Sequence, residues 1–256
     1  MRPTLLVLGG TTEATALAHA LNDGGYNAIF SYAGRVAHPK AQPLPTRVGG
    51  FGGVDGLVDY LGVHQISHVI DATHPFAAQM SRNAVAACAK VGVKLIALTR
   101  PEWSAVPGDH WTHVADMAAA VTALNRAPCR VMLAIGKLNL AGFAVHQQHH
   151  YLLRLIDEPT IGLPFTNCDV VVAQGPFEYA DDLALMRAHK IDLLVSKNAG
   201  GTAARAKIDV ARELAIKVVM IDRPKVANLG EVASVAAVLD WIAQFPGRHG
   251  NTDRGV

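Results

Sequence analysis

Long apolar runs are missing from this chain, although 50% of its 256 residues are hydrophobic. No stretch of 18 uninterrupted apolar residues occurs, so we expect no membrane-spanning helix. The first residues, MRPTLLVLGG, lack a charged leader with an apolar core and a cleavage site, and they indicate a first strand instead of a signal peptide. We therefore predict a cytoplasmic protein with well-filled cores.

Cysteine, aromatic residues and excess charge are scarce as well. The three cysteines, Cys88, Cys129 and Cys168, lie far apart without a CxxC pair, which indicates buried thiols in a reducing compartment. The formal net charge is +2, no basic tract occurs, and only 6% of the residues are aromatic. The sequence thus lacks both a basic patch for a nucleic-acid backbone and aromatic platforms for base stacking, and we expect no nucleic-acid partner.

Short apolar runs alternate with helical patterns along the chain. In the first half, strands are predicted at 4–8, 28–32, 47–48, 68–71 and 94–98, and helices at 12–23, 54–61 and 75–91. In the second half, strands are predicted at 130–135, 151–156, 170–173, 193–195 and 218–221, and helices at 178–189, 203–214 and 231–245. This alternation predicts parallel sheets with helices on both faces.

Two prolines and a glycine interrupt the alternation in RPEWSAVPGD, residues 100–109, which we interpret as a linker. The prediction is an α/β fold with two Rossmann-like domains, each containing a parallel sheet. Residues 1–108 would bind the cofactor, residues 109–246 would contribute to a substrate cleft, and residues 247–256 would form a disordered tail. We expect the active site in the cleft between the domains.

The stretch GGTTEA follows the first predicted strand and opens the first helix. Gly9 and Gly10 allow the backbone to approach a ligand closely. Thr11, Thr12 and Glu13 form the helix start, whose partly positive end favours a pyrophosphate. The spacing differs from GxGxxG, and a simple capped turn with a threonine N-cap is the alternative.

The ends of the second and third strands add to this pattern. The end of the second strand is the stretch 31–35, which contains Ser31 and Arg35 but no carboxylate. A guanidinium beside a hydroxyl suits a 2′-phosphate. The site would therefore prefer NADPH to NADH, unless Arg35 is simply a surface residue. In VGGFGG, Gly50, Phe51 and Gly52 could lie against the cofactor, and a flexible loop is the alternative.

The fourth strand ends in DATHPFA, residues 71–77, where ligands bind in open α/β sheets. We expect Asp71 to hold the loop through backbone N–H groups, and Pro75 to occupy a first helical position. Thr73 and His74 would then face the crevice, where His74 could contact the nicotinamide or the substrate. Helix capping is the alternative role for His74.

Six motifs together carry a family resemblance. GGTTEA, YAGR, GGFGG, DATHPFA, QGPF (174–177) and KNAGG (197–201) occur in this order, and the resemblance runs from Leu5 to about Phe245. The chain resembles the precorrin-6A reductase family of cobalamin biosynthesis, without a departure in these motifs. The resemblance implies a two-domain enzyme that uses NADPH to reduce one double bond of a tetrapyrrole, precorrin-6A, and gives precorrin-6B.

A tetrapyrrole that carries many carboxylates needs cations and backbone donors. Our candidate substrate ligands are Lys197, Asn198, Gly200 and Gly201. Lys137, Arg154 and Arg205 are second-rank candidates, and a surface role is the alternative for each of them. His74 and Lys197 are the catalytic candidates, because reduction of the conjugated system needs a nearby proton or cation. Solvent or a ring nitrogen is the alternative proton source.

Other interpretations of the sequence predict a different site or a different function. In HQQHH, His146 and His150 have helical spacing, but a strand follows at once and we predict no metal site. A reductase of the dihydrodipicolinate reductase kind would have a compact pocket for a small acid. A non-enzymatic NADPH sensor would lack a second crevice. Channelling of the tetrapyrrole to neighbouring pathway enzymes is a further expectation.

Overall fold

A computed structural model describes residues 3–34, 39–156, 159, 162–173, 175 and 177–245 of the chain. It divides into two α/β units, one formed by Met1–Arg100 with Lys225–Val256 and the other by Pro101–Pro224. Each unit contains a six-stranded sheet in which every described strand pair is parallel. The predicted fold class is confirmed.

The first unit begins with the alternation that the sequence predicts. Its strands are β1 (Thr4–Leu8), β2 (Asn27–Tyr32), β3 (Thr46–Val48), β4 (His68–Asp71) and β5 (Lys94–Leu98), and its helices are α1 (Thr12–Asp23), α2 (Gly53–Val63) and α3 (Ala78–Val91). Leu5 and Val7 of β1 belong to the core on the α1 face, whereas Leu6 and Leu8 pack toward α2 and α3. Burial on both faces explains the uninterrupted apolar run of β1.

The second unit contains six strands. They are β6 (Trp111–Val114), β7 (Arg130–Ala134), β8 (His150–Leu155), β9 (Cys168–Val172), β10 (Leu193–Lys197) and β11 (Lys217–Ile221), in the sheet order β6-β11-β10-β7-β8-β9. The helices are α4 (Met117–Ala123), α5 (Tyr179–Ala188) and α6 (Ala206–Glu213), with two short 3-10 helices at Lys137–Asn139 and Ala141–Val145. The sequence analysis missed β6 and α4, because β6 is largely exposed and α4 has only seven residues.

The chain returns to the first unit after Pro224. There it forms β12 (Glu231–Val232), which pairs with β5, and α7 (Val235–Gln244), so the first sheet has the order β12-β5-β4-β1-β2-β3. This corrects the predicted domain of residues 109–246, since Val238 and Ile242 are buried in the core of the first unit. It also corrects the predicted helix at 231–245, whose first residues form the strand instead.

Helix α3 begins at Ala78 and not at Pro75 as predicted. Ala77 N–H donates to the His74 carbonyl at 2.7 Å, so Pro75 occupies the second position of a tight turn. Proline is favoured there for the same reason as at a helix start, namely its fixed φ. No helix among these described stretches is long and apolar enough to cross a membrane. The predicted tail, 247–256, lies outside the described residues.

Candidate functional site

The carboxyl ends of four neighbouring strands carry the predicted cofactor residues. Leu8 of β1 is in register with Ser31 of β2 on one side and with Asp71 of β4 on the other, and Ser31 is in register with Arg47 of β3. The loops that follow these strands therefore lie along one edge of the first sheet. Ligands of open α/β sheets bind at this edge.

The turn after β1 leaves no room for a side chain at its first position. Gly9 N–H donates to the Ser31 carbonyl at 2.9 Å, and a Cβ on Gly9 would lie 2.1 Å from the buried Phe30 ring. Gly10 has φ +129°, a backbone conformation that favours glycine. A Cβ on Gly10 would meet no atom within 4 Å, so open space borders this turn.

Thr11 joins the turn to the neighbouring loop. It is the N-cap of α1, and its Oγ1 accepts from Ala14 N–H at 3.1 Å and donates to the Ala72 carbonyl at 2.9 Å. The first bond caps the helix, and the second bond ties the loop after β1 to the loop after β4. The two alternatives for this turn, a capped helix and an anion site, are thus compatible. The Thr11 cap uses one backbone N–H, and further N–H groups at the helix start remain for an anion.

Glu13 lies in the first turn of α1 and forms an ion pair with Arg100 at 2.6 Å. Burial raises the pKa of Glu13, but its backbone hydrogen bond and the Arg100 guanidinium outweigh that effect and leave the pKa below its ordinary value. Glu13 is therefore a carboxylate whose charge Arg100 offsets beside the helix start. The sequence analysis did not identify Arg100, because its partner lies 87 residues away along the chain.

The end of β2 has a cationic neighbour, Arg47 of β3, that the sequence analysis did not name. Ser31 is only 4% exposed, and its Oγ accepts from Arg47 Nη1 at 2.7 Å. Arg35 lies outside the described residues, so its predicted contact with a 2′-phosphate stays a prediction. Arg47 was missed because the sequence analysis looked for a charge after β2 and not on the adjacent strand β3.

The glycine-rich loop after β3 leads directly into α2. Gly52 has φ +81° and is the N-cap residue of that helix, and neither Gly50 nor Gly52 has an atom within 4 Å of a built Cβ. Phe51 packs edge-on against Tyr60 with the ring centroids 5.1 Å apart. The glycines therefore border open space, while the role of Phe51 as a cover for the cofactor stays a prediction.

The DATHPFA loop is organised around a buried carboxylate. Asp71 is 2% exposed, and its Oδ1 accepts from Thr73 N–H at 3.1 Å and from Thr73 Oγ1 at 2.7 Å. His74 Nδ1 accepts from Phe76 N–H at 3.2 Å. A neutral imidazole in this arrangement carries its proton on Nε2. His74 does not cap α3, since the N-cap of that helix is Ala77 without a side-chain bond.

The KNAGG loop follows β10 in the second unit. Lys197 is the last strand residue and is half-buried. Asn198 is 1% exposed, and its amide accepts from Trp103 N–H at 2.8 Å and donates to the Trp103 carbonyl at 3.0 Å. The Gly201 carbonyl accepts from Trp103 Nε1 at 2.7 Å, and a Cβ on Gly200 would lie 2.1 Å from the Pro101 carbonyl oxygen. These contacts hold the 101–103 segment, and substrate binding by this loop stays a prediction.

We expect Asn198→Ala to lower the free energy of unfolding by about 2 kcal/mol, because both polar groups of the Trp103 backbone would lose their buried partner. Chemical denaturation of the variant and of the original protein measures this loss. Asn125→Ala, at an exposed position, is the matched control and should change stability by less than about 0.5 kcal/mol. Equal stability of the two variants would contradict the inferred role.

The other predicted substrate ligands have different surroundings. Lys137 begins a 3-10 helix just after β7 and is exposed. Arg154 is buried instead, pairs through Nη1 with Asp182 Oδ1, and lies 3.9 Å from the Phe177 ring centroid. Burial raises the pKa of Asp182, and the Arg154 charge opposes that shift. Of these two candidates, Lys137 is therefore the exposed cation. The charge of Arg154 instead compensates a buried carboxylate.

The histidines of HQQHH have backbone and carboxylate partners. His146 Nε2 lies 2.9 Å from the Val121 carbonyl oxygen, and His149 Nε2 lies 2.8 Å from that of Leu124. His150 Nε2 contacts Asp169 Oδ2 at 2.8 Å. Within the described part of the chain, no group of three or more His, Cys, Asp or Glu side chains could hold a metal ion.

Comparisons with known proteins match the chain over nearly its whole length. The family model described as precorrin-6x reductase CbiJ/CobK matches residues 4–243. The precorrin-6A reductase of Rhodobacter capsulatus is 57% identical over 252 residues, which cover 98% of this chain and 99% of that enzyme. The precorrin-6A reductase of a Sinorhizobium species is 46% identical over 245 residues, 95% of this chain and 94% of that enzyme.

A solved structure is similar as well. The structure of CobK precorrin-6A reductase has a TM-score of 0.91 and 57% sequence identity, and the match covers 99% of this chain and 100% of that chain. The similarity therefore includes both units and the segment that returns to the first unit.

Proposed function

Since this chain belongs to the precorrin-6x reductase family, we propose that it is an NADPH-dependent oxidoreductase that acts on a CH–CH group. Its substrate would be precorrin-6A and its product precorrin-6B, in cobalamin biosynthesis. The observation that carries this proposal is the 57% identity with a precorrin-6A reductase over almost the full length of both chains. The solved CobK structure, with a TM-score of 0.91, supports the same conclusion for the fold.

The first sheet edge fits the cofactor. Built Cβ atoms on Gly10, Gly50 and Gly52 meet no atom within 4 Å, so space remains beside the turns where a dinucleotide would lie. The α1 helix start offers backbone N–H groups to a pyrophosphate, next to Thr11 and Thr12. The absence of a carboxylate from the end of β2 favours NADPH over NADH, because NAD sites place an acid there for the ribose.

When bound, NADPH supplies a hydride, and the product must also gain a proton. His74 is our first candidate for the proton, because Phe76 N–H fixes its Nδ1 as an acceptor and leaves the proton of the neutral ring on Nε2. The buried Asp71 holds the preceding turn through Thr73 and thereby orients the loop that carries His74. Lys197 is the second candidate, as a cation toward a substrate carboxylate or as the proton donor.

The test of this function is an absorbance assay with protein, NADPH and precorrin-6A. We expect loss of the nicotinamide absorbance band only when the macrocycle is present, with a parallel change in the macrocycle spectrum. Omission of the macrocycle and use of heat-denatured protein are the controls. Oxidation of NADPH with dihydrodipicolinate in place of the tetrapyrrole would favour the small-acid reductase. Binding of NADPH without any turnover would favour a sensor.

A further inference from the structure

Arg47 of β3 is held in one position by neutral groups. Its Nη1 donates to Ser31 Oγ at 2.7 Å and to the Gly49 carbonyl at 2.8 Å, and its Nη2 donates to the Gly50 carbonyl at 3.0 Å. The guanidinium therefore joins the end of β2 to the glycine-rich loop after β3. A guanidinium has more N–H donors than these three acceptors use, so donors remain for a ligand.

Aromatic rings fix the plane of this group. The Arg47 Cζ atom lies 3.9 Å from the centroid of the Phe51 ring and 5.2 Å from that of Tyr60. Stacking on aromatic faces is a property of arginine that lysine shares poorly, because the guanidinium is planar. The side chain thus has a defined orientation and does not sample many rotamers.

The charge of Arg47 is not balanced by an acid. Among the residues that the structure describes, no carboxylate forms an ion pair with Arg47, whereas Arg100 and Arg154 each pair with one. Its partners are a hydroxyl and two carbonyls, which bind the N–H groups but carry no charge. A fixed cation without a counter-charge is well suited to bind an anion with little rearrangement.

The position of Arg47 in the sheet indicates which anion it would bind. With a pyrophosphate at the α1 helix start, the adenosine ribose of a dinucleotide lies beside the end of β2. Ser31 is at that end, and Arg47 is its register partner on β3. A phosphate on the ribose 2′ oxygen would then lie next to the Arg47 guanidinium.

We propose that Arg47, oriented by Ser31 and Phe51, binds the 2′-phosphate of NADPH and determines the preference for NADPH over NADH. This inference rests on the proposed cofactor. It differs from the prediction for Arg35, because it assigns the phosphate contact to a side chain on β3 instead of the loop after β2. Arg47 acts here as a specificity residue and takes no part in hydride transfer.

The experiment compares nucleotides that differ by this one phosphate. Titration calorimetry measures the Kd of NADPH, NADH, 2′,5′-ADP and 5′-AMP for the original protein, for Arg47→Ala and for Arg47→Lys. Arg82→Ala, on the exposed surface of α3, is the matched control. Circular dichroism and thermal unfolding establish that each variant is folded.

We expect Arg47→Ala to weaken NADPH and 2′,5′-ADP about 10- to 100-fold and to change NADH and 5′-AMP less than about threefold. Arg47→Lys should recover part of the loss, since it keeps the charge without the planar fork. Equal weakening of all four nucleotides would show that Arg47 only shapes the loop, and unchanged affinities would assign the phosphate to another residue such as Arg35. Either result overturns the inference while the cofactor assignment stands. If the original protein binds neither NADPH nor 2′,5′-ADP, the proposed cofactor is overturned as well.

Discussion

Replacement of Gly9 by alanine is expected to lower the free energy of unfolding by about 3 kcal/mol, since overpacking of a filled core has costs of this size. The new Cβ would lie 2.1 Å from the Phe30 ring, which is fully buried and has no exposed side to which it could move. Either the ring or the turn after β1 must shift. The turn belongs to the predicted pyrophosphate site, so the affinity for NADPH should fall as well.

Chemical denaturation and nucleotide titration measure the two effects of Gly9→Ala. The matched control is Gly62→Ala in α2, where a Cβ would meet no atom within 4 Å and φ is not positive. That control should gain stability by roughly 0.5 kcal/mol, because alanine is the better helix former. If both alanine variants were as stable as the original protein, the close packing of the turn against Phe30 would be disproved.

Replacement of His74 or Lys197 by alanine is expected to lower kcat by about 10- to 100-fold. The loss is smaller than that for removal of a strong general acid, since a water molecule or a ring nitrogen can still supply the proton. Steady-state assays with NADPH and precorrin-6A measure the change. A selective rise in KM for the macrocycle in Lys197→Ala would assign Lys197 to carboxylate binding, whereas a fall in kcat alone would assign it to the chemical step.

The controls for these variants are His19→Ala and Lys217→Ala, two exposed residues away from the candidate site loops. Both should retain the turnover of the original protein. Unchanged rates in His74→Ala and Lys197→Ala would remove the two proposed roles, and solvent would then be the proton source.

Local patterns were sufficient for most of the first unit. Leu5–Leu8 form one uninterrupted apolar run because β1 is buried on both faces, and the bounds of β1 agree with the prediction. The strand-end rule also placed Thr11 and Asp71 on one edge, and a bond from Thr11 Oγ1 to the Ala72 carbonyl joins their loops. These features depend on hydrophobic periodicity and on turn residues, and both can be recognised in short stretches of sequence.

Long-range pairing could not be predicted in the same way. The sequence analysis did not identify the pairing of Glu13 with Arg100, or of Asn198 with Trp103, because these partners lie 87 and 95 residues apart. Similarly, the pattern of residues 235–244 indicates a helix but not the sheet on which the helix packs. The helix start at Pro75 was predicted wrongly for a different reason: the fixed φ of proline suits both a helix start and a tight turn.

The return of β12 and α7 to the first unit affects the order in which the protein is completed on the ribosome. Synthesis runs from the amino terminus, so residues 101–224 are all available while the first unit still lacks one edge strand and a helix. Until α7 emerges, the apolar surface that Val238 and Ile242 cover remains open to water. A premature stop after residue 224 would therefore leave the first unit incomplete, although every proposed cofactor ligand had already been translated.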